Sequence, residues 1–329
     1  MEKYLTRQQI VRAKRFLKGI LSLALEVVPY IVWIEFMRLV FLSILTYLLS
    51  GKKTGFQEIN DIASATQLPV LAVSALIYAT IRRFRSKDTN QEFFKALRGG
   101  LTPFLKGMLR AITLSLIFLY ISTLTGHSKF FGTYFEVDDF VWLLIGTAIR
   151  IFSVITLVLI EEYLFRFIFF QKARELLNVK AAIAVTTLFY VVAKGAQFSI
   201  GPNQVLTLML FSLFLCLWVI EKESFVRGAG DLAGWILVVH ILFSLPIMGI
   251  EQNGVWIIKA ITPISSVADA GSLDFFTQSW FSLESMNNLI FRLVTGGPGG
   301  PFSSITVQAI LAAELIFIGL RIRKLLFSN

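Results

Sequence analysis

The hydrocarbon core of a bilayer holds no water, and this chain is built to enter it repeatedly. Stretches 29–49, 66–82, 107–124, 151–171, 180–199, 204–220, 231–249 and 303–320 each read as a membrane span, for which about 20 mostly apolar residues suffice. Without solvent, the backbone N–H and C=O groups of such stretches must satisfy one another within a helix. The expectation is an all-α polytopic membrane protein of eight transmembrane helices. Composition agrees: 56% of the residues are hydrophobic and 16% are charged, against roughly 25% charged in soluble domains.

Loop charge orients the bundle. Lys3, Arg7, Arg12, Lys14, Arg15 and Lys18 precede the first span, and Arg82, Arg83, Arg85, Lys87, Lys95 and Arg98 separate the second from the third. Lys172, Arg174 and Lys180 follow the fourth, Lys222 and Arg227 the sixth, and Arg321, Arg323 and Lys324 the last. With eight spans all five groups fall on one side, which places both termini in the cytoplasm by the positive-inside rule. The same logic absorbs the net charge of +10. No nucleic-acid motif accompanies it, so no nucleic-acid partner is expected.

Two segments do not fit a plain bundle. Residues 1–28 read as a basic, partly apolar segment lying on the cytoplasmic face, ahead of a single membrane domain over 29–329. Residues 250–302 form a long outer connection ending in the breaker run "TGGPGGP", and a connection of this length is often functional or partner-binding. Cys216 is the only cysteine, so it forms no internal disulfide and reads as packing. No cleavable signal peptide is expected at the N-terminus, where the charged stretch is too long.

The costly residues are in the fourth span, "LIEEYLFRFIFF", residues 159–170. Ionisable side chains inside a span face a protein interior or a cavity rather than lipid. Glu162 and Arg166 stand four apart, share a helix face and can pair. Glu161 points about 100° away, roughly 15 Å from either end of the span, and is left over. An unpartnered carboxylate there suits a general acid or base. His240 in the seventh span lies at nearly the same depth, with Ser244 on its face four residues on. A carboxylate, an imidazole and a hydroxyl at one depth could hold a water and polarise a carbonyl. The other histidine, His127, falls in an outer loop. A transporter with Glu161 in a proton path is a weaker alternative, because neither an inverted repeat nor a broken helix pair is evident.

These residues resemble the motifs of the CPBP family of intramembrane proteases (CAAX proteases and bacteriocin-processing or immunity proteins), which includes the type II CAAX prenyl endopeptidases. The first motif, Glu-Glu-x-x-x-Arg, stands intact as "EEYLFR", Glu161 to Arg166. The last, His-x-x-x-Asn or Asp, is matched by His240 with Ser244 in the Asn place. The middle motif, Phe-x-x-x-His, has Phe189 but Ala193 where the histidine belongs, with Lys194 beside it. Motif order and spacing over about 100–250 match. The resemblance implies a CAAX-protease-like bundle in which Glu161 activates water, His240 and its partner stabilise the oxyanion, and Arg166 holds Glu162. Family members are described both as glutamate-type and as metal-dependent.

The departures bear on activity. Ala193 offers no polar atom, and Lys194, about 100° away around the helix, is a poor geometric substitute for the histidine. Ser244 reaches less far than Asn. Glu161, Glu162 and His240 could supply three zinc ligands only if the Glu162–Arg166 pair broke, so no metal or other cofactor is expected. The chain is therefore read as a catalytically degenerate homologue in a cell membrane, of the bacterial cytoplasmic type. It would work among membrane lipids and hold a membrane-protein or membrane-peptide partner. The opposing reading is an active glutamate-dependent intramembrane endopeptidase cutting a membrane-proximal or prenylated peptide. On the topology, a reporter fused after Asn329 is expected to read as cytoplasmic, and an external reading would overturn the charge argument.

Overall fold

The computed structural model describes residues 7–50, 56–85, 100–125, 128–133, 140–197, 202–222, 224–243, 245, 256–260, 294, 301 and 304–327. Each expected span overlaps a helix, although the seventh, expected over 231–249, is helical only as far as Leu242 among the described residues. These are α1 (Arg7–Ser50), α2 (Phe56–Arg85), α3 (Leu101–Leu124), α4 (140–176), α5 (Val179–Gln197), α6 (Pro202–Lys222), α7 (226–242) and α8 (Ile305–Phe327). Five of them hold stretches long and apolar enough to cross a membrane: Phe16–Leu49, Leu101–Leu124, Leu144–Leu176, Asn203–Lys222 and Ile305–Arg323. A shorter apolar stretch, Thr66–Arg82, lies in α2. The chain is a polytopic helical membrane protein.

Large apolar side chains left exposed match the solvent this fold is made for. In α1, Leu23, Val27, Tyr30 and Ile34 form a buried stripe at helical spacing, while Leu21, Leu25, Val28, Val32 and Phe36 face outward. In water such a face would be a liability; against lipid tails it needs no cover. α1 has 44 residues, or about 66 Å at 1.5 Å per residue, roughly twice the ~30 Å hydrocarbon thickness. Of the N-terminal segment expected over 1–28, residues 7–28 are helical and continuous with the first span. Leu23 and Val27 already belong to the core.

α3 and α7 approach most closely, because glycine lets their backbones meet. A Cβ on Gly107 would collide with the Arg227 carbonyl, and one on Gly230 with the Phe104 carbonyl. Small residues at such a crossing replace the hydrophobic drive that lipid removes, leaving close packing to hold the helices. The run "GAGDLAG" is thus a helix–helix contact within Val226–Ile236.

α8 joins the bundle after the long outer connection and is fastened to its neighbours at three levels. Gln308 Nε2 donates to the Asn203 carbonyl (3.1 Å) and to Thr207 Oγ1 (3.2 Å). Arg110 Nη1 donates to Glu314 Oε2 (3.0 Å) while its Nε and Nη2 reach Asp231 Oδ1. Arg321 pairs with Glu221 at 2.6 Å. Between these clips Val307, Leu311, Ile318 and Ile322 form the buried stripe. Cys216, on the densely packed α6, is fully buried, as its expected packing role requires.

The structure adds one feature that an all-helical reading does not contain. Ser128–Thr133 (β1) pairs antiparallel with Trp256–Ala260 (β2), from Ser128 opposite Ala260 to Thr133 opposite Trp256, with an irregularity between Phe130 and Gly132. The ribbon ties the loop after α3 to the outer connection. Ser128 Oγ lies 2.6 Å from Ser122 Oγ and anchors it to α3. His127, Ser244 and most of 250–302 lie outside the described residues.

The glycine crossing yields a prediction. Gly230→Ala places a methyl against backbone that has no side chain to swing away, and should destabilise by about 1–3 kcal/mol. Gly19→Ala meets Leu176 and Leu177 at 3.6 Å, an ordinary contact, and should be neutral or slightly stabilising. Because Cys216 is buried and is the only thiol, its reaction with a fluorogenic maleimide during a thermal ramp in detergent reads both effects.

Candidate functional site

The site is assembled from three helices that sequence reading links and two that it does not. α4 is α-helical over Phe140–Glu162, π-helical over Tyr163–Phe169 and α-helical again over Phe170–Leu176. Glu161 and Glu162 close the first segment and Arg166 lies in the π turn. α7 behaves alike: Leu237–Leu242 is π-helical and carries His240, with Phe243 N–H donating to Val238 O at 3.0 Å. A π turn inserts a residue into the helix and rotates everything beyond it, and such turns gather at functional sites.

Glu161 is fully buried, and it is not left over. Lys194 Nζ donates to its Oε2 at 2.5 Å, and Tyr30 Oη donates to its Oε1 at 3.2 Å. The expectation of an unpartnered carboxylate is therefore corrected: its partner is Lys194. The angular argument applies to the Cβ atom. A lysine carries its ammonium three methylenes beyond that atom, and an ammonium in a low-dielectric interior goes to the nearest carboxylate. Lys194 is itself 5% exposed, so its charge has no solvent to turn to.

Glu162 and Arg166 pair as their spacing predicts, with Arg166 Nε 3.4 Å from Glu162 Oε2. The contact is electrostatic rather than an aligned hydrogen bond: both Glu162 oxygens and Arg166 Nε lack an aligned partner among the described residues. Arg166 Nη2 instead donates to Ser212 Oγ of α6 at 3.1 Å, and the guanidinium lies 4.5 Å from the centre of the Tyr190 ring. Lys194 lies over the same ring at 5.8 Å. Tyr190 thus carries two cations on its π system, a favourable placement for a desolvated charge.

His240 is buried, on a turn of α7 that packs against the helix bearing Glu161. Its Nδ1 lies 3.2 Å from the Leu245 carbonyl. A carbonyl only accepts, so Nδ1 carries the proton in this bond. Ala193 is buried beside Lys194, and Phe189 packs edge-on against Phe169 at 5.4 Å. The placement of Ser244 is outside the described residues.

A metal does not suit these residues. Among the described residues no three His, Cys, Asp or Glu side chains gather as a ligand set, and Glu161 already faces a fixed cation. Sequence reasoning missed Tyr30, Tyr190 and Ser212. Tyr30 is 131 positions from Glu161, and nothing in local pattern connects them. Lys194 could have been paired: it is the one cation buried in α5, and a buried charge needs a counter-charge.

The Glu161–Lys194 pair makes a measurable demand on stability. Lys194→Met leaves a buried carboxylate without its cation and should cost about 3–5 kcal/mol. Adding Glu161→Gln should restore most of that loss, because two neutral groups replace the pair. A double-mutant cycle read by Cys216 exposure on heating checks the coupling; additive effects would mean the contact is energetically idle.

Comparison with known proteins follows the same residues. Residues 139–246 match the family model of the type II CAAX prenyl endopeptidase Rce1-like proteins, a span running from the start of α4 past His240. No curated protein and no solved structure matches the chain. Residues 139–246 are thus similar to an Rce1-like type II CAAX prenyl endopeptidase domain, set within a larger helical membrane protein.

Proposed function

We infer that this is a non-hydrolytic CPBP homologue, an eight-span membrane protein with cytoplasmic termini whose polar centre has become structural and which holds a membrane partner. One observation carries the reading: the ammonium of Lys194 sits 2.5 Å from Glu161. A general base must present an oxygen to water. Here Oε2 accepts from Lys194 and Oε1 accepts from Tyr30. The neighbouring position that would help hold the water is Ala193, which has no polar atom. The Glu162–Arg166–Ser212 arrangement serves equally well as a helix bridge, as buried polar groups in membrane bundles often do. The working surfaces for a partner would then lie outside 139–246, on α1 and on the outer ribbon.

The opposing reading, a glutamate-dependent endopeptidase, draws on the family match and on the retained His240, and one set of variants decides between them. Glu161→Gln alone is a poor test, since it strands the buried Lys194 ammonium. The clean variant is Glu161→Gln with Lys194→Met. Cells carrying it should keep function, and the purified wild type should not cleave a membrane-proximal or prenylated peptide. Losing an acid–base partner typically costs on the order of 10²–10⁴ in rate. Ala193→His with Lys194→Ala and Ser244→Asn should therefore gain hydrolysis if the fold is otherwise competent. Loss of cellular function in the double variant, with Cys216 still protected, would establish the enzyme instead.

A further inference from the structure

The helix that completes the Glu161 site lies outside the matched domain. α1 supplies Tyr30, and the ring of Tyr30 has two faces of consequence. On one side its hydroxyl donates to Glu161. On the other it lines a narrow pocket with Glu26, Val27, Arg82, Leu164, Phe165 and Phe169, with room for about one water. Phe165 has the same double position: it lines the pocket, stacks edge-on with Tyr30 at 6.0 Å, and meets Tyr190 at 5.5 Å. Tyr190 in turn carries Arg166 and Lys194. A wall one ring thick, made of Tyr30 and Phe165, therefore separates the pocket from the buried charges.

The half of this wall that belongs to α1 is held by a latch and preceded by a hinge. Glu26, one turn before Tyr30, receives Lys172 Nζ of α4 on Oε1 at 2.5 Å and Arg82 of α2 on Oε2. The three side chains are 22–36% exposed, so solvent can compete for them and the latch is weak. Pro29, inside the helix immediately before Tyr30, removes one i→i−4 hydrogen bond and is the usual origin of a bend. The core positions Glu161, Lys194 and Arg166 have no comparable solvent contact.

We propose that α1 is a lid over the polar centre, with Tyr30 as its closing side chain, Glu26 as its latch and the pocket as the water-sized entrance that widens when the lid opens toward Glu161 and Lys194. Opening moves Tyr30 away from Glu161 by a bend at Pro29 and needs release of Glu26 from Arg82 and Lys172, with Leu23 and Val27 shifting in the core. The lid concerns access alone, so it holds whether or not the Glu161–Lys194 pair hydrolyses anything.

The test reads access with a thiol. Ala193→Cys places a cysteine next to Lys194, behind the wall, and Cys216 remains as a buried internal control. Full-length protein in detergent or in lipid nanodiscs is treated with N-ethylmaleimide, and labelling at each cysteine is followed by peptide mass spectrometry. In the Ala193→Cys background labelling at 193 should be slow. Glu26→Gln should raise its rate about three- to tenfold by weakening the latch, and Tyr30→Ala should raise it more, with Cys216 unlabelled in both. High salt, which screens the partly exposed latch, should act like Glu26→Gln. If Tyr30→Ala also exposes Cys216, that variant has unfolded, and the Glu26→Gln and high-salt rates decide the matter. Unchanged labelling at 193 in Glu26→Gln and in high salt overturns the lid.

Discussion

A carboxylate and an ammonium confined to the same low-dielectric interior leave a protein few choices. Each is costly alone, and removing one leaves the other buried without compensation. The 2.5 Å contact between Glu161 and Lys194 is therefore the constraint around which this bundle is arranged. It fixes α4 against α5, and Tyr30 extends the bond to α1. The second pair, Glu162 and Arg166, is looser at 3.4 Å and leans on Ser212 of α6 and the face of Tyr190. Four helices thus converge on two buried ion pairs, and the aromatic rings around them exclude competing solvent.

Backbone geometry makes this convergence possible. The two π turns lie where the site needs them, at Arg166 in α4 and His240 in α7. By bonding i to i+5 they shift the facing of every later residue relative to a regular helix. α7 in turn is pressed onto α3 through Gly107 and Gly230, an approach that no larger residue permits. Arg110 and Asp231 then tie the same two helices with charge, and Glu314 draws α8 into that tie. Packing of backbone against backbone and a polar clip at the same crossing stand in for the hydrophobic effect, which gives little preference between lipid and protein.

The family domain and the architecture around it carry different parts of the site. The matched residues 139–246 hold both ion pairs and His240. The residues that govern exposure, Tyr30, Glu26 and Arg82, come from α1 and α2.

Sequence alone determined what depends on short-range pattern and on the solvent. Apolar runs fixed a helical, polytopic membrane protein, because hydrocarbon leaves the backbone no other partner. The four-residue spacing of Glu162 and Arg166 fixed their pairing, because a helix brings i and i+4 together whatever lies beyond it. The polar motifs were sufficient to indicate the family. Tertiary structure decided which distant groups met. The partner of Glu161 depended on the rotation of α5 and the reach of a lysine stem, and Tyr30 on the lie of a helix 131 residues away. The β1–β2 ribbon joined two loops that no periodicity relates. Helix rotation, tilt and π turns are set by packing between helices, and local sequence does not encode those angles.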